Sequence, residues 1–208
     1  MDTGNVFSTP YIWSRQGDKA REAFLARFYQ EEGYQAVALG WGDFRALKRG
    51  AGRGLPWVSA NGKAPGVEPY RLIKVGPWKV AVTAITGKGS FASPMKWEKP
   101  EKALPRVLKE LSKRKVDLVI LLVASPAEAG PYFQEVDVVL GGVYGRGKVK
   151  KKGPPYVFWL RKARGGQLGV VTLEKTDGGV KLVSYQPYLL DSRIPGDPGV
   201  LEELKKLK

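Results

Sequence analysis

Apolar and polar positions alternate along the chain with two distinct periods. From Asp18 to Glu32, Ala20, Phe24, Leu25, Phe28 and Tyr29 recur at helical spacing, and Gly33 follows as a stop, which predicts an amphipathic helix. Gln35 to Gly40 is a short apolar run of the kind that forms a buried strand, and it leads into a segment rich in Gly and Arg that reads as a loop. Further strands are predicted at Trp57 to Ala60, Tyr70 to Val75 and Lys79 to Thr86, the last two joined as a hairpin by Gly76-Pro77. Between Pro100 and Arg114, Ala103, Leu104, Val107, Leu108 and Leu111 mark one face of a helix whose first turn is expected to hold Pro105.

A strand at Val116 to Val123, a short helix around Pro126 to Gln134 and a strand at Val136 to Leu140 come next. Strand, helix, strand with near-continuous apolar runs predicts a parallel sheet covered by helices. The final third changes character. Tyr156 to Leu160, Leu168 to Lys175 and Val180 to Tyr188 read as an antiparallel meander with a turn at Asp177-Gly178-Gly179, followed by a linker at Arg193 to Gly199 and a short amphipathic helix at Val200 to Lys208.

Composition adds limits to this α/β outline. A chain of 208 residues favours one domain, and 43% hydrophobic with 26% charged residues is ordinary for a globular protein. The longest apolar run, Val116 to Ala124, is too short to cross a membrane as a helix, so no membrane span is expected. The N-terminus shows neither a basic flank nor an apolar stretch of signal-peptide length. A formal charge of +15 and a pI near 9.9 make acidic partners a natural class, and a Lys/Arg-rich thermophile surface is the plainer explanation. There is no cysteine, which removes disulfides, thiolate metal sites and cysteine nucleophiles. There is also no histidine, which removes the commonest metal ligand and every Ser-His triad.

Several segments, taken in order, carry a resemblance: Gly33 to Gly40, Leu55 to Asn61, Pro69 to Gly76 with Lys79 to Val82, Val116 to Ile120, Val136 to Gly142, and Gln167 to Leu173. Their order and spacing resemble the catalytic domain of the 5'-nucleotidase branch of the calcineurin-like metallophosphoesterases. The resemblance implies a four-layer sandwich of mixed sheets flanked by helices, with the antiparallel meander at its C-terminal side. It further implies one domain over residues 1–192, with 193–208 as linker and helix, and a family that is often extracytoplasmic.

In that family, by resemblance, two divalent metals sit on carboxylates, an Asn and several His at the strand ends. Here those positions are changed. The family's Gly-Asn-His-Glu turn reads Gly40-Trp41-Gly42-Asp43, and its Gly-Gly-His-x-His turn reads Gly141-Gly142-Val143-Tyr144-Gly145. The His after the apolar strand falls near Ala124, and the metal-bridging Asp matches Asn5. The family's first strand has no counterpart: either an upstream segment supplies it, or the sheet begins differently, with Asp2 to Val6 as a strand. Indole, aliphatic and bare-backbone groups hold no divalent pair, so neither a metal nor another cofactor is expected.

The loops after the two changed turns are basic, with Arg45, Lys48, Arg49 and Arg53 in one and Arg146, Lys148, Lys150, Lys151 and Lys152 in the other. They can hold a phosphate or a nucleic-acid backbone, or they are solvated surface. Trp41 and Tyr144 share that rim and either stack on a ligand or fill the space left by metals and imidazoles. Trp57, Trp78, Trp97 and Trp159 read as core or sheet-surface packing.

The leading expectation is therefore a metal-free, non-catalytic binding or scaffold domain, with a phosphorylated or polyanionic ligand or a protein as partner. A residual metal-dependent phosphohydrolase and a nucleic-acid binder are the alternatives.

Overall fold

Six strands form the central sheet of the computed structural model, which describes residues 1–3, 6–7, 19–86, 97–124, 131–143, 148–150, 153–161, 167–190 and 192–206. They are β3 (Tyr70–Val75), β4 (Trp78–Ile85), β5 (Leu118–Val123), β6 (Val138–Val143), β7 (Lys148–Lys150) and β8 (Tyr156–Arg161), in the order β3-β4-β5-β6-β8-β7. The pairs β4–β5, β5–β6 and β6–β8 are parallel, and antiparallel edge strands close both sides. Gly76, at φ 57°, makes the tight turn of the β3–β4 hairpin, a conformation that an L side chain resists.

Period-two burial explains why β4 and β5 occupy the middle. Val80, Val82 and Ala84 with Leu118, Ile120 and Leu122 face one apolar cluster, while Ala81 and Ile85 with Leu121 and Val123 face another. Both faces are thus covered, as parallel strands require. The second cluster is closed by α3 (Pro100–Lys113), whose Ala103, Leu104, Val107, Leu108 and Leu111 are all buried. Pro105 lies inside α3 and not in its first turn, because the helix already starts at Pro100. Five buried side chains on one face hold the helix despite the hydrogen bond that proline removes.

The first cluster is closed by a second layer of strands: β1 (Val37–Ala38) parallel to β2 (Trp57–Val58), and β9 (Gln167–Thr176) antiparallel to β10 (Gly179–Leu189). Ala38, Val58 and Val180 sit in this cluster, with Val171, Leu173, Leu182 and Tyr185 packed against it. On the outer side of β1 and β2, Val37, Leu39 and Trp57 meet Phe44 of α2 (Trp41–Lys48) and Tyr29 of α1 (Lys19–Glu31). Helix, sheet, sheet, helix is the resulting layer order.

Several boundaries differ from the sequence reading. The Gly- and Arg-rich segment after Gly40 begins as the helix α2: Gly40 is extended (φ −92°, ψ 172°) at the N-cap, and Phe44 and Ala46 bury against the core. Tyr156 to Leu160 belongs to the central sheet, parallel to β6, so the C-terminal antiparallel unit is the β9–β10 pair. Apolar alternation alone does not distinguish the two neighbours. The short helix predicted at Pro126 to Gln134 is a 3-10 turn at Pro131–Glu135, with 125–130 outside the described residues. The last helix, α4, spans Pro198–Lys206, and the Asp197 carboxylate accepts the Val200 N–H at 3.0 Å to cap it. No described helix is long and apolar enough to cross a membrane.

Candidate functional site

The C-terminal ends of β1, β2 and β4 meet in a buried polar stitch. The Thr86 hydroxyl donates to the Leu39 carbonyl at 2.5 Å, which brings the end of β1 to the end of β4. Asn61, only 2% exposed, accepts the Thr86 N–H at 3.0 Å and donates its amide to the carbonyls of Thr86 (2.9 Å) and Glu98 (3.2 Å). Ser59 completes it by accepting the Gly62 N–H at 2.8 Å. Among the described residues no buried side-chain nitrogen or oxygen is left without a partner. A stitch so satisfied needs no guest to offset the desolvation of its polar groups.

The turn after β1 stands beside this stitch. Trp41 opens α2 and packs on Trp97, with ring centroids 5.0 Å apart and planes tilted by 40°. Gly42 follows without a side chain. Asp43 is fully buried, and its two oxygens accept the N–H groups of Phe7 and Gly40, each at 2.9 Å. The second of these is the backbone half of a capping box and places a negative charge in the first turn of α2, where the helix dipole favours it. Nearby, burial first and then the Asp2 carboxylate push the Tyr29 hydroxyl far above its usual range, so it stays protonated and donates to Asp2 at 2.9 Å. Asp2 itself forms a parallel bridge with Val37, which places the start of the chain beside β1.

The other singled-out positions divide. Ala124 is buried, and its N–H donates to the Ile85 carbonyl at 3.0 Å, so it continues the β5 ladder. Val143 ends β6, and its backbone alone is described. Asn5, Tyr144, Gly145, Arg146, Lys151 and Lys152 lie outside the described residues. Lys148 and Lys150 lie on the edge strand β7, with the Lys150 side chain exposed. Arg45 and Lys48 ride on α2, where the Lys48 ammonium sits 5.4 Å from the centre of the Phe44 ring. Arg49 is committed to an ion pair with Glu22, and Arg53 lies against Gly50 in the turn after α2.

One contributor escaped the sequence reading. Trp97, expected as plain packing, also lines a cleft of about 610 Å³ with Asn61, Lys63, Glu98 and Arg106. Its bridge to Gly62 brings it there, a long-range pairing that local pattern does not encode.

No protein-family model and no curated protein matches the chain. Its fold, however, is that of the calcineurin-like phosphoesterases and their 5'-nucleotidase branch. The 5'-nucleotidase precursor from Thermus thermophilus superposes with a TM-score of 0.71 at 19% identity over 99% of this chain and 48% of that one. A calcineurin-like phosphoesterase from Bacillus subtilis gives 0.70 at 15% identity, covering 99% of this chain and 81% of that one. The NAD nucleotidase of Haemophilus influenzae gives 0.67 at 18% identity over 99% and 52%. The chain thus spans about half the length of the two nucleotidases.

The fold implies a divalent metal pair, and the residues present do not fit one. The chain has no His or Cys, and among the described residues no three His, Cys, Asp or Glu side chains come together to hold a cation. The carboxylate at the changed turn, Asp43, has both oxygens engaged by backbone N–H groups.

Proposed function

We propose that this chain is a metal-free, non-catalytic domain on the 5'-nucleotidase fold, one unit over residues 1–192 with 193–208 as connector and helix, and that it acts as a binding or scaffold module. The observation that carries the reading is the turn after β1. Where a metal-holding turn needs donors, an indole packs on Trp97, a glycine offers none, and Asp43 caps its own backbone. Two metals that activate water and neutralise a transferring phosphoryl group have no seat among such groups.

The test is direct. Purified protein incubated with manganese and a nucleoside monophosphate, or a generic phosphate ester, is expected to release no phosphate above the protein-free rate. Its melting temperature is expected to be the same in excess manganese as in chelator, since a ligand that binds the folded state raises it. Metal-dependent turnover overturns the reading. A phosphohydrolase completed by a segment or partner outside this chain is the rival, and it is disfavoured because Trp41 and Gly42 lie within the chain itself.

What the module binds is drawn from its charge. With +15 overall, a phosphorylated or polyanionic ligand is the favoured partner, reached through Arg45, Lys48, Arg53 and the lysines from 148 to 152.

A further inference from the structure

Trp97 has two different neighbourhoods. One side of it packs on Trp41, while the residue also lines the cleft with Lys63 and the Glu98–Arg106 ion pair. The ring is therefore held in place yet only half-buried. Arg106 is fixed by Glu98, with Nη2 to Oε2 at 2.7 Å, so its guanidinium is already committed. The Lys63 ammonium makes no ion pair among the described residues and stands exposed at the rim.

An exposed indole held by a second indole, with a cation at its edge, is the arrangement that stacks a base and holds the adjoining phosphate. We infer that this cleft is a stacking site for one base of single-stranded nucleic acid, with the base on Trp97 and its backbone at Lys63. The inference rests on the binding reading above and names its ligand class.

Charge decides between a polymer and a mononucleotide. A mononucleotide finds one uncommitted cation in the cleft and the Glu98 carboxylate beside it. A polymer draws in addition on the +15 charge of the whole chain and on counterion release at every neutralised phosphate.

The experiment titrates the protein with a fluorescein-labelled oligothymidylate of roughly fifteen nucleotides, a length within reach of single-strand binding sites. Heparin and AMP serve as comparison probes. The oligothymidylate is expected to bind, and Trp97→Leu to weaken it roughly tenfold or more, while heparin binding is unchanged and Trp97→Phe retains most of the affinity. Lys63→Glu is expected to weaken the oligothymidylate and to lower the slope of log affinity against log salt by about one. Circular dichroism checks that each variant is folded, and if Trp97→Leu does not fold, Lys63→Glu decides.

No binding, equal loss for heparin and oligothymidylate, or AMP binding as tightly as the polymer overturns the inference. Hydrolysis of a bound nucleotide defeats the non-catalytic reading instead and leaves the stacking site standing, so the two failures are distinguishable.

Discussion

Trp41 and Trp97 face each other with ring centroids 5.0 Å apart, joining the turn after β1 to the segment that bridges Gly62. The position that the resemblance assigns to a metal-binding Asn is thus occupied by a tertiary contact between distant parts of the chain.

Removing that contact is expected to be felt in stability. Trp41→Ala should lower the unfolding free energy by about 2 kcal/mol, combining lost apolar burial with the loss of a ring pair. Trp41→Phe should recover most of it. Urea unfolding measures both, and a Trp41→Ala protein as stable as the parent would show that the pair contributes nothing.

Asp43 is expected to behave as a structural carboxylate. Asp43→Ala leaves the buried N–H groups of Phe7 and Gly40 without their acceptor and removes a helix cap, at a cost of roughly 2–4 kcal/mol. Asp43→Asn keeps one acceptor oxygen and should cost less. The same denaturant series ranks the two, and equal losses would contradict the hydrogen-bond account.

The acid limb of the stability curve should depend on Asp117. The hydrogen bond from the Lys175 ammonium, first, and then the Lys79 N–H hold its carboxyl below the usual range. A carboxyl with a depressed folded pKa stabilises above its unfolded pKa of about 3.9 and loses that contribution as pH falls through the folded value. Asp117→Asn should therefore flatten stability against pH below about pH 4 relative to the parent. Melting temperatures across that range show it, and identical slopes would rule the pair out as a contributor.

Gly141→Ala is expected to destabilise. A Cβ there would lie 2.2 Å from the ring of Trp159, its partner across the β6–β8 pairing, and Phe133 packs near that ring. Overpacking of this kind costs about 1–3 kcal/mol. Trp159→Ala in the same protein should relieve part of the penalty, because the clash and its partner are then removed together.

Much of the layer order was legible because period-two burial and helical apolar stripes are local. Val80 to Ile85 and Leu118 to Val123 declare a strand buried on both faces, and Ala103 to Leu111 declares the helix that covers one of them. The loss of metal donors at Trp41 and Gly42 was equally legible, since it is a matter of residue chemistry. What local pattern did not carry were relationships between distant segments. That β8 joins β6 and not β9, that Trp97 reaches Trp41, and that Asn61 fastens Thr86 to Glu98 each depend on which neighbour the fold supplies. The helix at Trp41–Lys48 was hidden by its glycines and arginines, although Asp43 three residues after Gly40 was a signal that could have marked its start.

The stitch of Leu39, Thr86, Asn61 and Ser59 bears on any effort to revive hydrolysis by grafting imidazoles onto this scaffold. New side chains at Trp41, Gly42 and Val143 would arrive above strand ends already knotted to one another, with no lone pair turned outward to help seat a cation. A redesign would have to untie those ends first, and the unfastened scaffold would then need the incoming ion simply to stay closed.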